Sequence, residues 1–164
     1  MNLKNLRSGN VFVDANIFLA EILEEDSADE CMDFLQRIAF GRLNGSTSLI
    51  VLNEVFHRTL IADAIATYKI KGELAVNYLK RKPDKLKKLI NAHTAIENIC
   101  LIPNLAIITP DMNSFREALK ISKKYGLLSS DAWHVSLMQA NNIQNIATLD
   151  HDFQRVDEIK VWTI

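Results

Sequence analysis

The stretch Val11–Asn16, with the sequence VFVDAN, sets the organisation of the chain. Its first three residues are apolar, favour β structure and are bounded by polar residues, which is the pattern of a strand buried on both faces. Asp14 then follows at the carboxyl end of this strand, where open α/β sheets bind their ligands. A simpler role is also open, because Asp and Asn are favoured N-caps and either Asp14 or Asn16 would cap a helix that begins near Ile17.

Length and composition indicate one globular domain over residues 1–164. The chain is 48% hydrophobic and has a formal net charge of -1, which suits an ordinary core and gives no overall signature of nucleic-acid binding. Cys31 and Cys100 form no CxxC motif, so neither a zinc site nor a disulfide framework is indicated. No signal peptide or run of ~20 apolar residues is present. We therefore expect a cytoplasmic protein without a membrane partner.

Apolar spacing and turn residues predict alternating helices and strands. Helices are predicted over Ile17–Leu23, from Ser27 to about Leu43, over Leu49–Thr67 and Met112–Tyr125, and from Ser129 to about Asn141. The second helix begins with the S-x-x-E form of a capping box at Ser27–Glu30. Further strands are predicted at Ser46–Ser48, Leu105–Thr109, Asn145–Leu149 and Lys160–Ile164, and the pattern of Leu105–Thr109 is that of a buried strand. This alternation predicts an α/β fold with a parallel sheet covered by helices on both faces.

The segment Tyr68–Cys100 is predicted to be helical and carries no motif. Gly72 and Pro83 interrupt it, and Pro83 suits the first turn of a new helix. A dense basic run lies within this segment and consists of Lys80, Arg81, Lys82, Lys85, Lys87 and Lys88. Such a run is often only a solvated helical face. The alternative is a local phosphate-binding patch, without base stacking because no aromatic residue interleaves the run.

Four acidic residues fall at corresponding ends of the predicted elements. Asp14 and Asp150 end strands, whereas Glu54 and Asp131 lie early in helices. Parallel pairing brings strand ends and the following helix N-termini to one edge of a sheet, so we expect all four to meet in one cleft. Packed carboxylates repel one another. A hard divalent cation such as Mg²⁺ resolves that repulsion because it prefers oxygen ligands.

Each of these acids lies within a short characteristic stretch. The stretches are VFVDANIF at Val11–Phe18, LNEVF at Leu52–Phe56, SSDAWHV at Ser129–Val135 and TLDHDF at Thr148–Phe153. In this order, they resemble the four acidic signatures of the PIN-domain ribonucleases, a family that includes the VapC toxins of bacterial and archaeal toxin–antitoxin pairs. The resemblance runs from the first strand to the last and leaves out the motif-free segment at about 68–100.

The resemblance implies metal-dependent cleavage of RNA by an acidic quartet. Asp14, Glu54, Asp131 and Asp150 match the catalytic acids of the family. Of these, Asp14, Asp131 and Asp150 would hold Mg²⁺ or Mn²⁺. No side-chain nucleophile is required, because a metal ion activates water for attack on the phosphorus.

The same resemblance implies supporting residues and partners. Asn16 and Thr148 match polar positions beside the first and fourth acids, whereas Asp152 would be a turn residue, an outer contact of the site or a metal ligand. A sheet of about five parallel strands, a homodimer and, for a toxin, a small antitoxin partner are also implied. The apolar face of the predicted Leu49–Thr67 helix is either a docking surface for such a partner or part of the core.

Several neighbours of the acids have two interpretations each. His134 lies one turn after the third acid and would hydrogen-bond an acid or a phosphate, or pack as a partly buried residue. Arg58 would pair with Glu54 one turn before it, or contact substrate phosphate. Trp133 and Trp162 favour packing over base stacking.

Other function classes fit parts of the pattern. A phosphohydrolase of the haloacid-dehalogenase type also begins with an apolar strand that ends in Asp, but it needs a second Asp where this chain has Asn16. Such an enzyme forms a covalent aspartyl-phosphate, which a metal-dependent nuclease does not. A non-catalytic PIN-like module would bind RNA or protein without regard to divalent metal. A housekeeping nuclease in RNA processing is the alternative to a toxin.

Overall fold

The computed structural model describes all residues from 1 to 164. Its helices are α1 (Ala15–Ile22), α2 (Ala28–Ala39), α3 (Leu49–Tyr68), α4 (Gly72–Arg81), α5 (Pro83–Leu86), α6 (Asn91–Cys100), α7 (Met112–Tyr125) and α8 (Ser129–Ala140). Its strands are β1 (Asn10–Val13), β2 (Asn44–Ser48), β3 (Leu105–Ile108), β4 (Asn145–Ala147) and β5 (Lys160–Trp162). Two short 3₁₀ turns cover Leu3–Asn5 and Asp152–Arg155. None of the helices combines the length and the apolar character that crossing a bilayer requires.

All five strands pair in parallel in one sheet, in the order β3-β2-β1-β4-β5. The central strand is β1, in which Val11 pairs with Gly45 of β2 and with Asn145 of β4. Val11, Phe12 and Val13 are fully buried, as expected for a strand that has neighbours on both edges and helices on both faces. The predicted α/β fold with about five parallel strands is therefore confirmed, and the carboxyl ends of β1 and β4 lie side by side.

The main core joins this sheet to the surrounding helices. Its largest fully buried side chains include Phe12 from β1, Phe18 from α1, Phe34 from α2 and Phe153 from the turn after β4. Burying one such side chain contributes about 1.5–3 kcal/mol. Asp14 directly follows β1, whereas Asp150 lies three residues beyond the end of β4 rather than at its end as predicted. Phe12 and Phe153 lie close to these two acids in sequence, so the packing that stabilises the fold also fixes the two segments that carry them.

Helix ends follow local chemistry more closely than apolar spacing. Helix α2 ends at Ala39 rather than near Leu43, because Gly41 adopts a left-handed conformation with φ 71° and turns the chain. The predicted capping box is wrong in its bonding, since Ser27 occupies the N-cap position without a side-chain hydrogen bond. Helix α7 has the predicted bounds, with Asp111 as N-cap and Gly126 as its left-handed C-cap.

Strands β2 to β5 differ from their predicted form. Strand β2 begins at Asn44, two residues before the predicted start at Ser46. Strand β3 lies at the edge of the sheet and is not fully buried, because Ala106 is exposed and its neighbours are half-buried. An apolar run alone does not distinguish an edge position from a central one. Strands β4 and β5 end at Ala147 and Trp162, short of the predicted ends at Leu149 and Ile164.

The segment between α3 and β3 is helical, and Pro83 is the first residue of α5, as predicted. Residues 72–88, named here the basic arm, pack near the end of α3. A second hydrophobic cluster, built on the buried residues Ala64, Leu79 and Leu89, holds this region together. It is separate from the 31-residue main core, so the basic arm has packing of its own.

Candidate active site

Asp14 lies at the carboxyl end of the central strand and caps the helix that follows. Its Oδ1 accepts a hydrogen bond from the backbone N of Ala15 at 2.7 Å, which makes it the N-cap of α1. Its Oδ2 accepts hydrogen bonds from Nδ2 of Asn16 at 2.8 Å and from Oγ1 of Thr148 at 2.6 Å. The residue is only 6% exposed. The capping role is confirmed, although α1 begins at Ala15 rather than near Ile17, and three donors fix a nearly buried carboxylate.

Asn16 and Thr148 tie the end of β1 to the end of β4. Nδ2 of Asn16 also donates to Oγ1 of Thr148 at 3.0 Å, and its Oδ1 accepts from the backbone N of Leu149 at 3.0 Å. Thr148 is fully buried, and its Oγ1 accepts from the backbone N of Asp150 at 3.0 Å. This network holds Asp14 and the backbone of Asp150 in a fixed relation.

Asp150 begins a tight turn that Arg155 connects to the loop between α7 and α8. Oδ1 of Asp150 accepts from the backbone N of Asp152 at 2.8 Å. Nη2 of Arg155 donates to Oδ1 of Asp152 at 2.8 Å, and its Nη1 donates to the carbonyl of Gly126 at 3.1 Å. Asp152 therefore has a structural partner, and contact with a metal stays a prediction for it. Sequence reasoning missed Arg155, whose spacing of three residues from Asp152 was the available signal.

Asp131 and Glu54 have free carboxylates. Asp131 is the third residue of α8 and is half-buried, and no hydrogen bond or ion pair engages its side chain. Glu54 lies on α3, is also half-buried and likewise has no such partner. Both oxygens of each carboxylate are thus available to a ligand.

The four predicted acids and Asp152 form one electrostatic cluster around Asp131. Burial raises the pKa of Asp131, and the charges of Asp150, Asp14, Asp152 and Glu54 raise it further, to about 6. Burial also raises the pKa of Asp14, with a smaller contribution from the charge of Asp150, while the hydrogen bonds from Thr148, Ala15 and Asn16 act in the opposite direction. The predicted acids therefore lie close enough to repel one another.

The chemistry of this cluster suits a hard divalent cation. No group of three or more Asp, Glu, His or Cys side chains converges closely enough to enclose a metal ion by itself. Enclosure is not required for Mg²⁺, which usually keeps several waters and binds through one or two carboxylates together with substrate phosphates. The unpartnered oxygens of Asp131 and the mutual repulsion of its neighbours are the features that fit such an ion.

His134 packs beneath the acids and does not pair with them. Its ring is buried and lies 5.4 Å from the ring of Phe12 and 6.3 Å from that of Phe153. Its Nε2 is 3.7 Å from Oδ1 of Asp14, which is too long for a hydrogen bond. Burial lowers the pKa of His134 to about 4, against the opposing effect of Glu54. The ring is therefore neutral at pH 7 and leaves the charge of Asp14 unbalanced.

Other residues singled out in the sequence have structural contacts. The ring of Trp133 stacks on Phe115 at 5.3 Å, and Nε1 of Trp162 donates to Oδ1 of Asn145 at 2.9 Å. Both tryptophans are used in packing, as predicted. Arg58 is exposed and forms no salt bridge, so its predicted pairing with Glu54 is wrong and its guanidinium stays free.

Fold and site together define a class of protein. A parallel sheet in the order β3-β2-β1-β4-β5 carries a cluster of carboxylates at the carboxyl ends of its strands, where α/β proteins bind their ligands. The model of the PIN domain family matches residues 11–159. The chain belongs to the PIN domain family, and the resemblance found in its four acidic stretches is confirmed.

Relatives of the chain cover nearly its whole length. It is 24% identical over 160 residues to ribonuclease VapC6 of Methanocaldococcus jannaschii, and the alignment covers 93% of this chain and 95% of that protein. The crystal structure of VapBC2 from Rickettsia felis, bound to a DNA fragment from its promoter, matches with a TM-score of 0.62 and 16% identity, over 94% of this chain and 98% of that chain. VapC20 of Mycobacterium tuberculosis, described as a sarcin–ricin-loop-cleaving toxin, matches with a TM-score of 0.59 and 17% identity, over 90% of this chain and 95% of that chain.

Proposed function

We propose that this protein is a metal-dependent endoribonuclease that hydrolyses RNA phosphodiester bonds, acting in the cytoplasm as the toxin of a toxin–antitoxin pair. The observation that carries the proposal is the free, half-buried carboxylate of Asp131, whose pKa is raised by burial and by four surrounding acids. A cluster of this kind gains most from a bound cation. The ribonuclease name of the archaeal relative agrees with this activity.

In this proposal, Asp14, Asp131 and Asp150 hold Mg²⁺ or Mn²⁺, and Glu54 completes the catalytic quartet. The ion supplies charge neutralisation at the scissile phosphate and lowers the pKa of the attacking water. Asn16 and Thr148 are positioning residues, because their hydrogen bonds orient Oδ2 of Asp14.

Hydrogen bonding also separates this proposal from a phosphohydrolase of the haloacid-dehalogenase type. That mechanism needs a second Asp two residues after the first to act as acid and base, and this position is Asn16. Here both the amide nitrogen and the amide oxygen of Asn16 are engaged in hydrogen bonds within the site. A side-chain amide cannot act as the general acid and base of that mechanism, so the hydrogen bonds of Asn16 indicate a structural role.

The experiment is cleavage of a panel of tRNA, rRNA and single-stranded RNA by purified protein, with Mg²⁺, Mn²⁺ or EDTA. We expect cleavage in either metal, none in EDTA and none with Asp14→Asn. Fragments from the panel then identify the RNA, which distinguishes a toxin from a housekeeping nuclease. If neither wild type nor Asp14→Asn cleaves RNA under any condition, and both bind RNA without metal, the protein is the non-catalytic module instead.

An antitoxin segment has a suitable groove between α1, α2 and α6. This groove has a volume of about 510 Å³ and is lined mainly by apolar side chains, among them Phe18, Met32 and Ile102. We propose that it receives an amphipathic segment of the antitoxin, since such segments dock by their apolar face. The alternative surface on α3 is unsuitable at Leu52 and Val55, which are buried in the core. Met32→Asp should weaken inhibition by the antitoxin in a cleavage assay.

A homodimer is also part of the proposal. Helix α7 leaves an apolar row exposed, with Met112 63%, Phe115 39% and Leu119 57% exposed, and Leu128 beside it is 75% exposed. Contiguous exposed apolar surface of this kind is typical of interaction sites. Leu119→Asp should convert a dimer to a monomer in analytical ultracentrifugation, while a wild-type monomer at micromolar concentration would contradict this assignment.

A further inference from the structure

The basic arm concentrates positive charge that the proposed cleft does not use. Between Lys80 and Lys88 lie six cationic side chains and one carboxylate, that of Asp84, although the whole chain has a net charge of -1. All six cations except the half-buried Lys85 are exposed. Only Lys87 has a salt-bridge partner, the exposed carboxylate of Asp84 at 3.6 Å. The arm therefore presents largely uncompensated positive charge on a molecule that is otherwise acidic.

Packing against two tyrosines fixes the backbone that carries this charge. Oη of Tyr68 donates a hydrogen bond to the carbonyl of Lys85 at 2.9 Å, which ties α5 to the end of α3. Nζ of Lys82 lies 4.7 Å from the ring centre of Tyr78, and Nζ of Lys85 lies 5.1 Å from that of Tyr68. Each of these cation–π contacts covers one face of its tyrosine ring. The arm thus presents its cations on an ordered backbone, with Lys82 and Lys85 held against the tyrosine rings.

We propose that the basic arm binds the phosphate backbone of the RNA substrate, outside the acidic cleft. This role presupposes the ribonuclease activity proposed above and adds a substrate contact to it. Lysine and arginine contacts to phosphates supply affinity without reading sequence. The cleft, by contrast, is rich in carboxylates that repel phosphate unless a cation is bound, so a separate cationic surface is needed to attract RNA.

The position of the arm sets the size of the RNA. Glu54 and Tyr68 lie on the same continuous helix, α3, and their separation along its axis is about 21 Å at 1.5 Å per residue. A substrate that contacts both the cleft and the arm therefore extends some 20 Å beyond the scissile bond. An RNA of several nucleotides, folded or single-stranded, meets this condition, whereas a dinucleotide does not.

An RNA fits the arm better than an anionic membrane surface. Membrane-bound surfaces place exposed apolar side chains beside their cations. Within the run from Lys80 to Lys88, Leu86 packs against the second hydrophobic cluster, whereas the exposed apolar side chains of Leu74 and Ile90 lie outside the run. The exposed surface of the run is polar, which suits a hydrated phosphate backbone.

The test removes three exposed cations that have no salt-bridge partner and spares the lysines that cover the tyrosines. The arm variant is Lys80→Ala/Arg81→Ala/Lys88→Ala. Its matched control removes the same residue types, also exposed, from other surfaces of the molecule: Arg42→Ala/Lys123→Ala/Lys160→Ala. A charge-preserving variant, Lys80→Arg/Lys88→Arg, checks that charge rather than side-chain identity matters. All are made in full-length Asp14→Asn, so that RNA stays intact during binding.

Binding of a fluorescent structured RNA is measured by anisotropy between 50 and 200 mM KCl. Each lost phosphate contact lowers the slope of log affinity against log salt by about 0.7–0.9. We expect the arm variant to lose at least about tenfold in affinity and about 2 in slope. The control and the charge-preserving variant should stay near Asp14→Asn itself. Equal affinity and slope in the arm variant and its control would overturn the proposal, as would arm-dependent binding to phosphatidylserine vesicles together with arm-independent binding to RNA.

A cleavage assay uses the same arm variants in protein that retains Asp14. It distinguishes an error in the proposed role of the arm from an error in the proposed nuclease activity. If the arm binds substrate, the arm variant raises KM and leaves kcat unchanged. Normal cleavage by the arm variant with an unchanged KM refutes substrate binding by the arm and leaves the nuclease activity standing. Absence of cleavage in Mg²⁺ and Mn²⁺, together with RNA binding that still depends on the arm, refutes the nuclease and leaves the arm as an RNA-binding surface.

Discussion

Replacing Asp131 by Asn should stabilise the metal-free protein while abolishing cleavage. The carboxyl of Asp131 has a pKa of about 6 instead of 3.8, because burial and four neighbouring acids disfavour its charged form. Because the folded-state pKa lies above the unfolded value, ionising this carboxyl costs more free energy in the folded protein than in the unfolded chain. The free energy of unfolding should therefore fall as pH rises from about 4 through about 6, and Asn at this position should remove that fall.

The size of the effect follows from the same pKa. A rise from 3.8 to about 6 corresponds to roughly 3 kcal/mol at about 1.4 kcal/mol per unit of pKa. Asp131 is only half-buried, so solvent screening reduces the expected gain at pH 7.5 to about 1–2 kcal/mol. For a chain of this length, the corresponding rise in Tm is about 3–6 °C. Asp131→Asn sacrifices no hydrogen bond, because the carboxylate makes none.

Urea unfolding of EDTA-treated protein, followed by circular dichroism at pH 7.5 and pH 4.5, measures the gain. Asp26→Asn is the control, because Asp26 is exposed and has no ion-pair partner, so its replacement should change stability by less than about 0.5 kcal/mol. The gain for Asp131→Asn should be about a third as large at pH 4.5, because the unfolded carboxyl is already largely ionised there while the folded one is still protonated. A variant less stable than wild type at pH 7.5, or a gain of equal size at both pH values, would refute the reasoning.

The same unfolding measurement checks three further predictions. Thr148→Val should lower the free energy of unfolding by about 1–3 kcal/mol, because it removes a buried hydroxyl that donates to Asp14. Thr148→Ser should retain most of the stability. A valine variant as stable as wild type would contradict a stabilising role for this hydrogen bond. Gly45→Ala should cost about 1–3 kcal/mol, since its Cβ would lie 2.7 Å from Cγ2 of Ile38, whereas Gly72→Ala, with its nearest atom at 3.4 Å, should cost nothing. Arg37→Met should cost about 2–4 kcal/mol, because its guanidinium donates to two carbonyls of the N-terminal segment; a neutral effect would show that water replaces it.

The fold was predictable from the sequence because its strongest signals are local. The run at 11–13 marks the central strand through three consecutive apolar residues, and Asp111 and Gly126 mark the ends of α7 through their capping preferences. Whether a strand lies at the edge or in the centre of the sheet was harder to predict. Strand β3 has the apolar composition of a buried strand but lies at the edge of the sheet, because only the strand order determines which run is covered on both sides.

The site was predictable as a set of residues but not as a network. The positions of the acids at strand ends and helix starts were enough to expect one cluster, and the four lie together. The hydrogen bond from Thr148 to Asp14 and the link from Arg155 to the loop at Gly126 join residues far apart in the chain. Side-chain direction decides these contacts, and no spacing rule supplies it. For the same reason the sequence left Arg58 with a choice of partners, and the structure gives it none.

Binding of Mn²⁺ by isothermal titration calorimetry tests most directly whether the acidic cluster is a metal site. Wild type and the control Asp26→Asn should bind the ion at the cluster with the same affinity. Asp14→Asn and Asp131→Asn should each weaken binding by at least about tenfold, equivalent to about 1.4 kcal/mol, because each removes a charged oxygen ligand. Equal binding by all four proteins, or no binding by wild type, would contradict the assignment of these carboxylates to a metal-dependent nuclease.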